Sequence, residues 1–181
     1  RAVLYQLKWF ASNQIRNVAC IGGNIATASP ISDLNPVWIA TGATLELASE
    51  KGGRRTVSMR EFFVDYRKTA LRPDEVIVSI TMPLTSKDEY VMAFKQARRK
   101  EDDIAIVTSC MRVKLDGKHC VSEASLAFGG MAAKSAFAAQ TERAMIGREW
   151  NEALLDEAMN ALEKDLPLPP NAIGGMPGFR A

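Results

Sequence analysis

The sequence contains few of the side chains that most catalytic and metal-binding sites require. Its 181 residues include one histidine, His119, and three cysteines, Cys20, Cys110 and Cys120. No two cysteines form a C-x-x-C motif, so we expect reduced thiols rather than disulfides. A Ser-His-Asp or Cys-His site would depend on His119, which lies in a predicted turn. We therefore expect no catalytic residue and no metal-binding residue in this chain.

Long hydrophobic runs and a strong excess of one charge are also missing. No stretch approaches the roughly 20 apolar residues of a membrane-spanning helix, and no signal peptide is present. Lysine and arginine total 23 against 21 aspartates and glutamates, which gives a formal charge of +2. We therefore expect neither a membrane nor nucleic acid as a partner, and a cytoplasmic location, with a peroxisomal one as the alternative.

Both ends of the chain look interrupted. It opens on Arg1 with helical spacing already in progress, and it stops at Ala181 just after a stretch rich in proline and glycine. We therefore expect this sequence to be an internal segment of a longer protein. Targeting signals would then lie on other parts of that protein.

The first 85 residues alternate between helical and strand patterns. Apolar residues at helical spacing predict helices, and alternation of apolar and polar residues predicts strands. Ser58 and Glu61 have the spacing of a capping box. The predicted elements are a helix over 2–10, a hairpin of strands 44–49 and 54–57, a short helix from Ser58 through Phe63 and a buried strand over 76–80.

The remaining residues predict a run of strands followed by helices. Asp116-Gly117 predicts a type I′ hairpin turn. The predicted elements are strands over 89–97, 104–115 and 120–128 and helices over 137–147 and 151–164. This order indicates an α+β fold with two layers rather than a doubly wound parallel sheet.

The most informative stretch runs from Cys20 to Pro36. Its glycines and prolines predict an extended, glycine-opened loop with short helical turns over residues 20–36. The paired Gly22 and Gly23 let backbone N–H groups approach an anion closely, and several neutral polar side chains follow them. This pattern suits the pyrophosphate and ribityl chain of a flavin, although the glycine pair alone also fits a plain tight turn. No G-x-G-x-x-G or Walker motif is present, which excludes Rossmann and P-loop sites.

This stretch belongs to a set of motifs that resembles the xanthine dehydrogenase and aldehyde oxidase family of molybdenum hydroxylases. The resemblance covers essentially the whole chain. The residues that favour the xanthine dehydrogenase branch of that family are Asn24, Ala28-Ser29-Pro30-Ile31, Lys95 and Asp102-Asp103. The other matching motifs are Phe62-Phe63-Val64-Asp65-Tyr66-Arg67-Lys68-Thr69, Ala93-Phe94-Lys95-Gln96-Ala97-Arg98-Arg99, Glu101-Asp102-Asp103-Ile104-Ala105, Phe128-Gly129-Gly130-Met131-Ala132, Leu168-Pro169-Pro170 and Gly174-Gly175-Met176.

The resemblance implies two consecutive units. Residues 1–85 would form the second part of a PCMH-type FAD-binding domain of the vanillyl-alcohol oxidase-like superfamily. Residues 89–181 would form a domain similar to the C-terminal domain of carbon monoxide dehydrogenase flavoproteins. The first part of the FAD-binding domain would precede Arg1. This segment would then hold roughly half of a flavin site and would bind FAD weakly on its own.

The resemblance also implies which residues contact FAD. Phe10 would be an aromatic side chain beside the cofactor, and Ile77 would offer a backbone group to the ring. Lys95 would lie near the isoalloxazine, where a cation favours an anionic reduced flavin and raises its potential. The full set is Phe10, Cys20, Ile21, Gly22, Gly23, Asn24, Asp33, Ile77 and Lys95.

Each of these residues, taken alone, also has a plain structural interpretation. Phe10 could pack on the apolar face of a helix, and Ile77 could be a buried strand residue. Lys95 could be a solvated charge and Asp33 the cap of a turn. Cys20 stands where this family carries serine, and a thiol is the weaker hydrogen-bond donor.

The resemblance further implies a parent enzyme that oxidises purines at a molybdenum centre. Electrons would pass through two [2Fe-2S] clusters to FAD and then to NAD or oxygen, while molybdopterin and the clusters would be bound outside this segment. The charged loop 98–103 would set the field that NAD meets, and the parent is expected to be a homodimer. Two alternatives stay open: an aldehyde oxidase-like or carbon monoxide dehydrogenase-like flavoprotein, and a non-catalytic module of the same fold.

Overall fold

The computed structural model describes all 181 residues and has an α+β architecture. The helices are α1 Ala2–Lys8, α2 Asn13–Val18, α3 Ile21–Thr27, α4 Asn35–Ala40, α5 Met59–Phe62, α6 Ala139–Met145, α7 Glu152–Asp165 and α8 Pro177–Arg180. The strands are β1 Thr44–Ser49, β2 Gly53–Ser58, β3 Phe63–Asp65, β4 Lys68–Thr69, β5 Val76–Thr81, β6 Glu89–Gln96, β7 Val107–Leu115, β8 Val121–Gly129 and β9 Ala136–Phe137. None of the helices combines the length and the hydrophobicity that crossing a membrane requires.

The first sheet is built around β1, with strand order β2-β1-β5 and antiparallel pairing throughout. Leu45 and Leu47 alternate with more polar residues along β1 and are fully buried, as expected for a strand with one face on a core. The predicted hairpin of β1 and β2 is confirmed, and a strand forms over 76–80 as predicted. That strand is not buried as predicted: it lies at the edge of the sheet, and Val76 and Val78 are exposed. Because β5 pairs with β1 on one side only, its other edge keeps free backbone groups.

The second sheet has four antiparallel strands in the order β6-β7-β8-β9. Ala93, Cys110 and Ala127 lie side by side across β6, β7 and β8, and all three are buried. Burial raises the pKa of the Cys110 thiol to about 12, so this cysteine is a neutral core residue. The row of small side chains leaves room for a helix to pack closely against the sheet.

Helix α4 fills that room and joins the two sheets. All six of its residues are buried, and it contacts β7, β8, β9 and α5. A helix that is buried on every side is an internal element rather than a surface helix. Trp38 and Ile39 of α4 belong to one hydrophobic core that includes both Leu45 of β1 and Ala127 of β8. The two sheets therefore share their main core.

A second, smaller core lies where α6 and α7 meet the four-stranded sheet. Leu154 of α7 and Met145 of α6 pack with Val113, Leu126 and Phe128 of the sheet. Both helices were expected from the sequence, and α7 confirms the predicted helix over 151–164 to within one residue at each end.

The segment 20–36 is more helical than predicted. Helix α3 occupies Ile21–Thr27, so Gly22 and Gly23 lie in the first turn of a helix instead of ending regular structure. Glycine in a helix costs about 1 kcal/mol relative to alanine, because it loses more backbone entropy. Pro36 is accepted in the first turn of α4, because its missing N–H would have no partner within the helix in any case. Helix α2 was not predicted.

Several local predictions need smaller corrections. The hairpin at Asp116 is not type I′: the positive φ falls at His119, and the Asp116 carboxylate accepts from the N–H groups of Lys118 and Cys120. This is a type I turn followed by a left-handed residue. At α5 the Ser58 hydroxyl accepts from Arg60 N, the second residue of the helix. This is an N-cap bond, and the predicted capping box between Ser58 and Glu61 does not form. Strand β7 begins at Val107, three residues later than predicted, and β9 was not predicted.

A buried ion pair connects α5 to α6. The Arg60 guanidinium donates to both carboxylate oxygens of Glu142, at 3.0 and 2.6 Å, and also to the Ser125 hydroxyl at 2.8 Å. Glu142 additionally accepts from Leu126 N at 2.7 Å, and the Arg60 guanidinium lies over the Phe137 ring. This cluster fixes the first sheet and its helix to the second sheet independently of α4.

We predict that Glu142→Gln destabilises the chain, because it leaves the Arg60 guanidinium beside an uncharged amide and weakens a buried acceptor. The expected loss is about 3 kcal/mol of unfolding free energy, measured by equilibrium urea unfolding of the 181-residue chain. Glu157→Gln is the matched control. Glu157 also forms a two-bond pair with an arginine, Arg148, but its side chain is 58% exposed against 9% for Glu142. Equal losses in the two variants would show that burial does not set the strength of the Arg60–Glu142 pair.

Candidate functional site

Lys95 of β6 lies at the centre of the candidate site. Strand alternation turns Lys95 inward together with Ala93, while Met92 and Phe94 face outward. Its side chain is only 4% exposed. The ammonium lies 3.0 Å from Asp33 Oδ1 and donates to the backbone carbonyl of Trp9 at 2.9 Å. Lys95 is therefore a buried, paired charge and not the solvated one that its position alone allowed.

Asp33 supplies the negative half of this pair from the segment between α3 and α4. Burial raises the pKa of the Asp33 carboxyl above its ordinary value, and the Lys95 ammonium opposes that shift. Because this pKa is higher in the folded chain than in the unfolded chain, protonation of the Asp33 carboxyl favours folding. The contribution of this group to the free energy of unfolding is therefore greatest at pH values below the ordinary pKa of aspartate. It decreases as the pH rises through the pKa of the folded chain. Asp33 Oδ1 is buried and accepts no hydrogen bond, so its ion pair with Lys95 is what compensates its burial.

A chain of hydrogen bonds holds the rest of this segment in place. The Ser32 hydroxyl donates to Asn24 Oδ1 at 2.9 Å and accepts from Asn35 N at 3.3 Å. The Ser32 carbonyl accepts from the Thr108 hydroxyl on β7 at 3.3 Å. The predicted contact residues Asn24 and Asp33 are thus linked, through Ser32, to each other and to the second sheet.

The glycine pair lies at the open N-terminus of α3. Cys20 precedes the helix, is exposed, and makes no side-chain cap bond. A Cβ built on Gly22 or Gly23 would meet only Cys20 atoms, at 3.8 Å, which is ordinary contact. Packing inside the protein therefore does not require glycine at either position. Their absent side chains leave the N–H groups of Ile21, Gly22 and Gly23 open to an external acceptor.

Phe10 lies just beyond the end of α1 and is half-buried. Helix α1 ends at Lys8, so Phe10 is not on a helical face, and it is not a member of either hydrophobic core. The Arg16 guanidinium binds the carbonyls of Phe10 and Ala11 at 2.5 and 2.7 Å, which fixes the turn. The plain interpretation of Phe10 as a residue on the apolar face of a helix is wrong.

The structure adds two residues that sequence reasoning missed. Trp9 supplies the carbonyl that binds Lys95, and the ammonium groups of Lys8 and Lys100 each lie 4.8 Å from its ring centre. Gln6 is fully buried and donates to the Phe94 carbonyl at 3.0 Å. No sequence pattern marks a backbone carbonyl that accepts a hydrogen bond or a side-chain amide that is buried. The roles of Trp9 and Gln6 therefore could not be predicted from the sequence.

Ile77 is separate from the other candidate residues. It lies on β5, pairs with Leu47 of β1, and packs its side chain against the main core. No hydrogen bond or ion pair connects it to Lys95 or Asp33. Ile77 lies on an edge strand, so the outer edge of β5 offers backbone N–H and C=O groups to a ligand.

The candidate residues together suit the binding of a ligand more than covalent catalysis. It offers free amide N–H groups, a half-buried aromatic ring and a neutralised Lys–Asp pair, and no activated nucleophile. No three histidine, cysteine, aspartate or glutamate side chains lie together as a metal site would need. Amide groups suit a phosphate, and the aromatic and buried surfaces suit a flat organic ring. The residues present therefore fit a flavin nucleotide.

Comparison with known families gives the same picture. Residues 1–85 match the FAD binding domain in molybdopterin dehydrogenase, and residues 92–181 match the CO dehydrogenase flavoprotein C-terminal domain. Over 99% of its length the chain is 53% identical to xanthine dehydrogenase/oxidase of Rattus norvegicus and 50% identical to xanthine dehydrogenase of Oryza sativa subsp. japonica. This chain belongs to the xanthine dehydrogenase family. The resemblance found in the sequence is thereby confirmed.

Solved structures of related flavoproteins have the same fold. Carbon monoxide dehydrogenase from Hydrogenophaga pseudoflava matches 99% of this chain, and 61% of its own, with a TM-score of 0.89 and 26% identity. Quinoline 2-oxidoreductase from Pseudomonas putida 86 matches 97% of this chain, and 60% of its own, with a TM-score of 0.81 and 25% identity. The predicted α+β fold is confirmed.

The xanthine dehydrogenase-like chain is short beside its relatives. It spans 13% of the Oryza sativa enzyme and 14% of the Rattus norvegicus enzyme. It corresponds to an FAD-binding segment of those proteins.

We predict that the Lys95–Asp33 pair shows strong coupling in a double-mutant cycle. Asp33→Asn and Lys95→Met should each cost about 3 kcal/mol of unfolding free energy, because each leaves a buried charge alone. The double variant should cost clearly less than the sum of the two. The measurement is urea unfolding at pH 7, and the exposed pair Asp65–Lys68 is the control, with Asp65→Asn and Lys68→Met expected to change little. Small, additive effects at Asp33 and Lys95 would contradict the buried pair.

Proposed function

We propose that this segment binds FAD within a larger oxidoreductase that oxidises purines. In that enzyme electrons would reach the flavin from two [2Fe-2S] clusters and leave to NAD or oxygen. Two linked contacts carry the proposal: Ser32 is hydrogen-bonded to Asn24 of α3, and the next residue, Asp33, is paired with Lys95. They occur in a chain about 50% identical to xanthine dehydrogenases.

The phosphate side of the proposed flavin site is the start of α3. The N–H groups of Ile21, Gly22 and Gly23 would bind the pyrophosphate, and Asn24 would be held beside it by Ser32. If Cys20 contacts the flavin through its backbone, replacing a serine hydroxyl by a thiol, which is a weaker donor, does not affect flavin binding. Binding at this point needs no movement inside the protein, because the glycine faces are open.

The ring side of the proposed site has Phe10, Lys95 and Asp33, together with the free edge of β5 at Ile77. A lone lysine would favour the reduced, anionic flavin strongly. Here the Asp33 carboxylate lies 3.0 Å from the ammonium, so the two charges largely cancel at a distance. We propose that the pair orients Lys95 and limits its effect on the flavin potential, and that Phe10 shields one side of the ring from water.

The redox chemistry itself belongs to the flavin, which accepts and releases electrons when bound. The residues of this chain bind and orient it. Beyond the ring, the loop with Arg98, Arg99, Asp102 and Asp103 is fixed by the Asp103 carboxylate, which accepts from Arg99 N and Ile104 N at 2.8 and 2.9 Å. We propose that this loop faces NAD.

The wider setting of the segment is also part of the proposal. The parent would carry molybdopterin and the iron–sulfur clusters on other parts of its chain, form a homodimer and reside in the cytoplasm or the peroxisome. Within this segment we propose two units, residues 1–85 and 89–181, which pack through α4 and the Arg60–Glu142 pair.

A carbon monoxide dehydrogenase-like or aldehyde oxidase-like flavoprotein is the second candidate function. The close fold match to carbon monoxide dehydrogenase favours it, but the identity is 26% against 50–53% for xanthine dehydrogenases. NAD reduction by the full-length protein with xanthine as donor separates the two. A preparation without bound flavin would favour a non-catalytic module.

We predict that Gly23→Val in the full-length protein lowers its flavin content to less than half, because the new side chain fills the space through which a phosphate approaches the α3 amides. Flavin is measured from the ratio of absorbance at 450 nm to that at 280 nm. Gly117→Val is the matched control, since it also adds a side chain at an exposed glycine with negative φ and open space. Full flavin occupancy in Gly23→Val would show that Gly22 and Gly23 do not contribute to flavin binding.

A further inference from the structure

Two bonds between side chains and backbone carbonyls join helix α1 to strand β6 beside Lys95. The Gln6 amide of α1 donates from Nε2 to the Phe94 carbonyl at 3.0 Å. In return, the Lys95 ammonium of β6 donates to the Trp9 carbonyl at 2.9 Å. Phe94 and Lys95 are consecutive, and Trp9 N donates to the Gln6 carbonyl at 3.1 Å. These four residues therefore form a closed ring of bonds, and a shift of α1 along β6 would break both of the bonds that join the two elements.

Gln6 is an unfavourable residue for the stability of the core. It is fully buried, and its Oε1 atom has no hydrogen-bond partner. Ala2, which lies one turn earlier on the same face of α1, belongs to the main hydrophobic core. An apolar side chain would suit this position without leaving a polar atom unpaired. The amide therefore contributes something other than burial, and the one hydrogen bond of this side chain is to the Phe94 carbonyl.

Lys95 needs support of this kind because its side chain is long and flexible. A lysine has a four-carbon stem with many rotamers, and its compact ammonium accepts many geometries. Lys95 could keep its ion pair with Asp33 Oδ1, at 3.0 Å, and still lose the Trp9 carbonyl. Gln6 opposes that loss from both sides, because it holds β6 one residue before Lys95 and belongs to the helix that ends at Trp9. A buried polar contact of this kind specifies one arrangement among several that pack about equally well.

We propose that Gln6 is a positioning residue for Lys95. Its buried amide fixes α1 against β6, so that the Trp9 carbonyl stays within reach of the ammonium. Phe10 follows Trp9 directly, so the same contact also determines where the Phe10 ring lies. This inference rests on the proposed flavin site, in which Lys95 and Phe10 lie at the ring. Gln6 is too deeply buried to touch the flavin, and it acts on the flavin through Lys95.

The first measurement compares Gln6→Met with wild type in the full-length protein. Methionine keeps the length of the side chain and removes both the donor and the unpaired oxygen. The flavin midpoint potential, measured by redox titration, should shift downward in Gln6→Met as it does in Lys95→Met, because the ammonium is held less firmly near the ring. In the double variant the potential should shift no further than in Lys95→Met alone, because Gln6 acts through Lys95.

The second measurement does not depend on flavin. Acetic anhydride labels lysine amines, and mass spectrometry follows the labelling of Lys95 in flavin-free protein relative to that of the exposed Lys68. Gln6→Met should raise the labelling rate of Lys95 by at least about fivefold, because its amine leaves its acceptors more often. Gln96→Met, the same change at an exposed glutamine of β6, should alter neither the rate nor the potential. If Gln6→Met does not fold, Gln6→Asn, which keeps an amide but shortens its reach, decides.

The two measurements separate this inference from the proposed flavin site. Faster labelling of Lys95 with a lowered potential supports both. Faster labelling without a change in potential, or in a protein that holds no flavin, supports the role of Gln6 and contradicts the place of Lys95 at the ring. Labelling of Lys95 that stays as slow as in wild type overturns the proposal. A lower melting temperature with that slow labelling would leave Gln6 a purely structural residue.

Discussion

The buried ammonium of Lys95 is the constraint on which the candidate site depends. A charge that is almost fully removed from water must have close partners, and its partners here come from two distant segments. The Asp33 carboxylate and the Trp9 carbonyl both lie within 3.0 Å of it. Because one ammonium serves both, the end of α1, the segment before α4 and strand β6 are held in one arrangement. Phe10 and Asn24 take their positions from those segments.

This pairing has an electrostatic consequence for a bound flavin. A lysine and an aspartate in contact act on a more distant group as a dipole rather than as a unit charge, and a dipole's field falls off faster. In the flavin site that we propose, the pair would keep a positively charged donor near the ring without shifting the flavin potential as far as a lone lysine would. Burial raises the pKa of Asp33, so its charged form is held less firmly than that of an exposed aspartate.

Local rules predicted much of the fold, and motif resemblance gave the family and the candidate contact residues, but neither predicted the pairing of Lys95 with Asp33. Alternation located β1, because Leu45 and Leu47 must face one core, and helical spacing located α7. Helix α3 was missed, because Gly22 and Gly23 signal a turn locally while tertiary packing, with Ile25 fully buried, favours a helix. The partnership of Lys95 and Asp33 was not visible, since no periodicity relates residues so far apart in sequence.

We propose that the open first turn of α3 binds the flavin. Hydrogen–deuterium exchange of the full-length protein, with flavin bound and after its removal, tests this most directly. The account predicts that the amides of Ile21, Gly22 and Gly23 exchange at least about tenfold more slowly with flavin bound, because each gains an acceptor. The amides of Glu152–Asp165 in α7 should exchange equally in both forms. Exchange at residues 21–23 that does not change when flavin is removed would contradict the account.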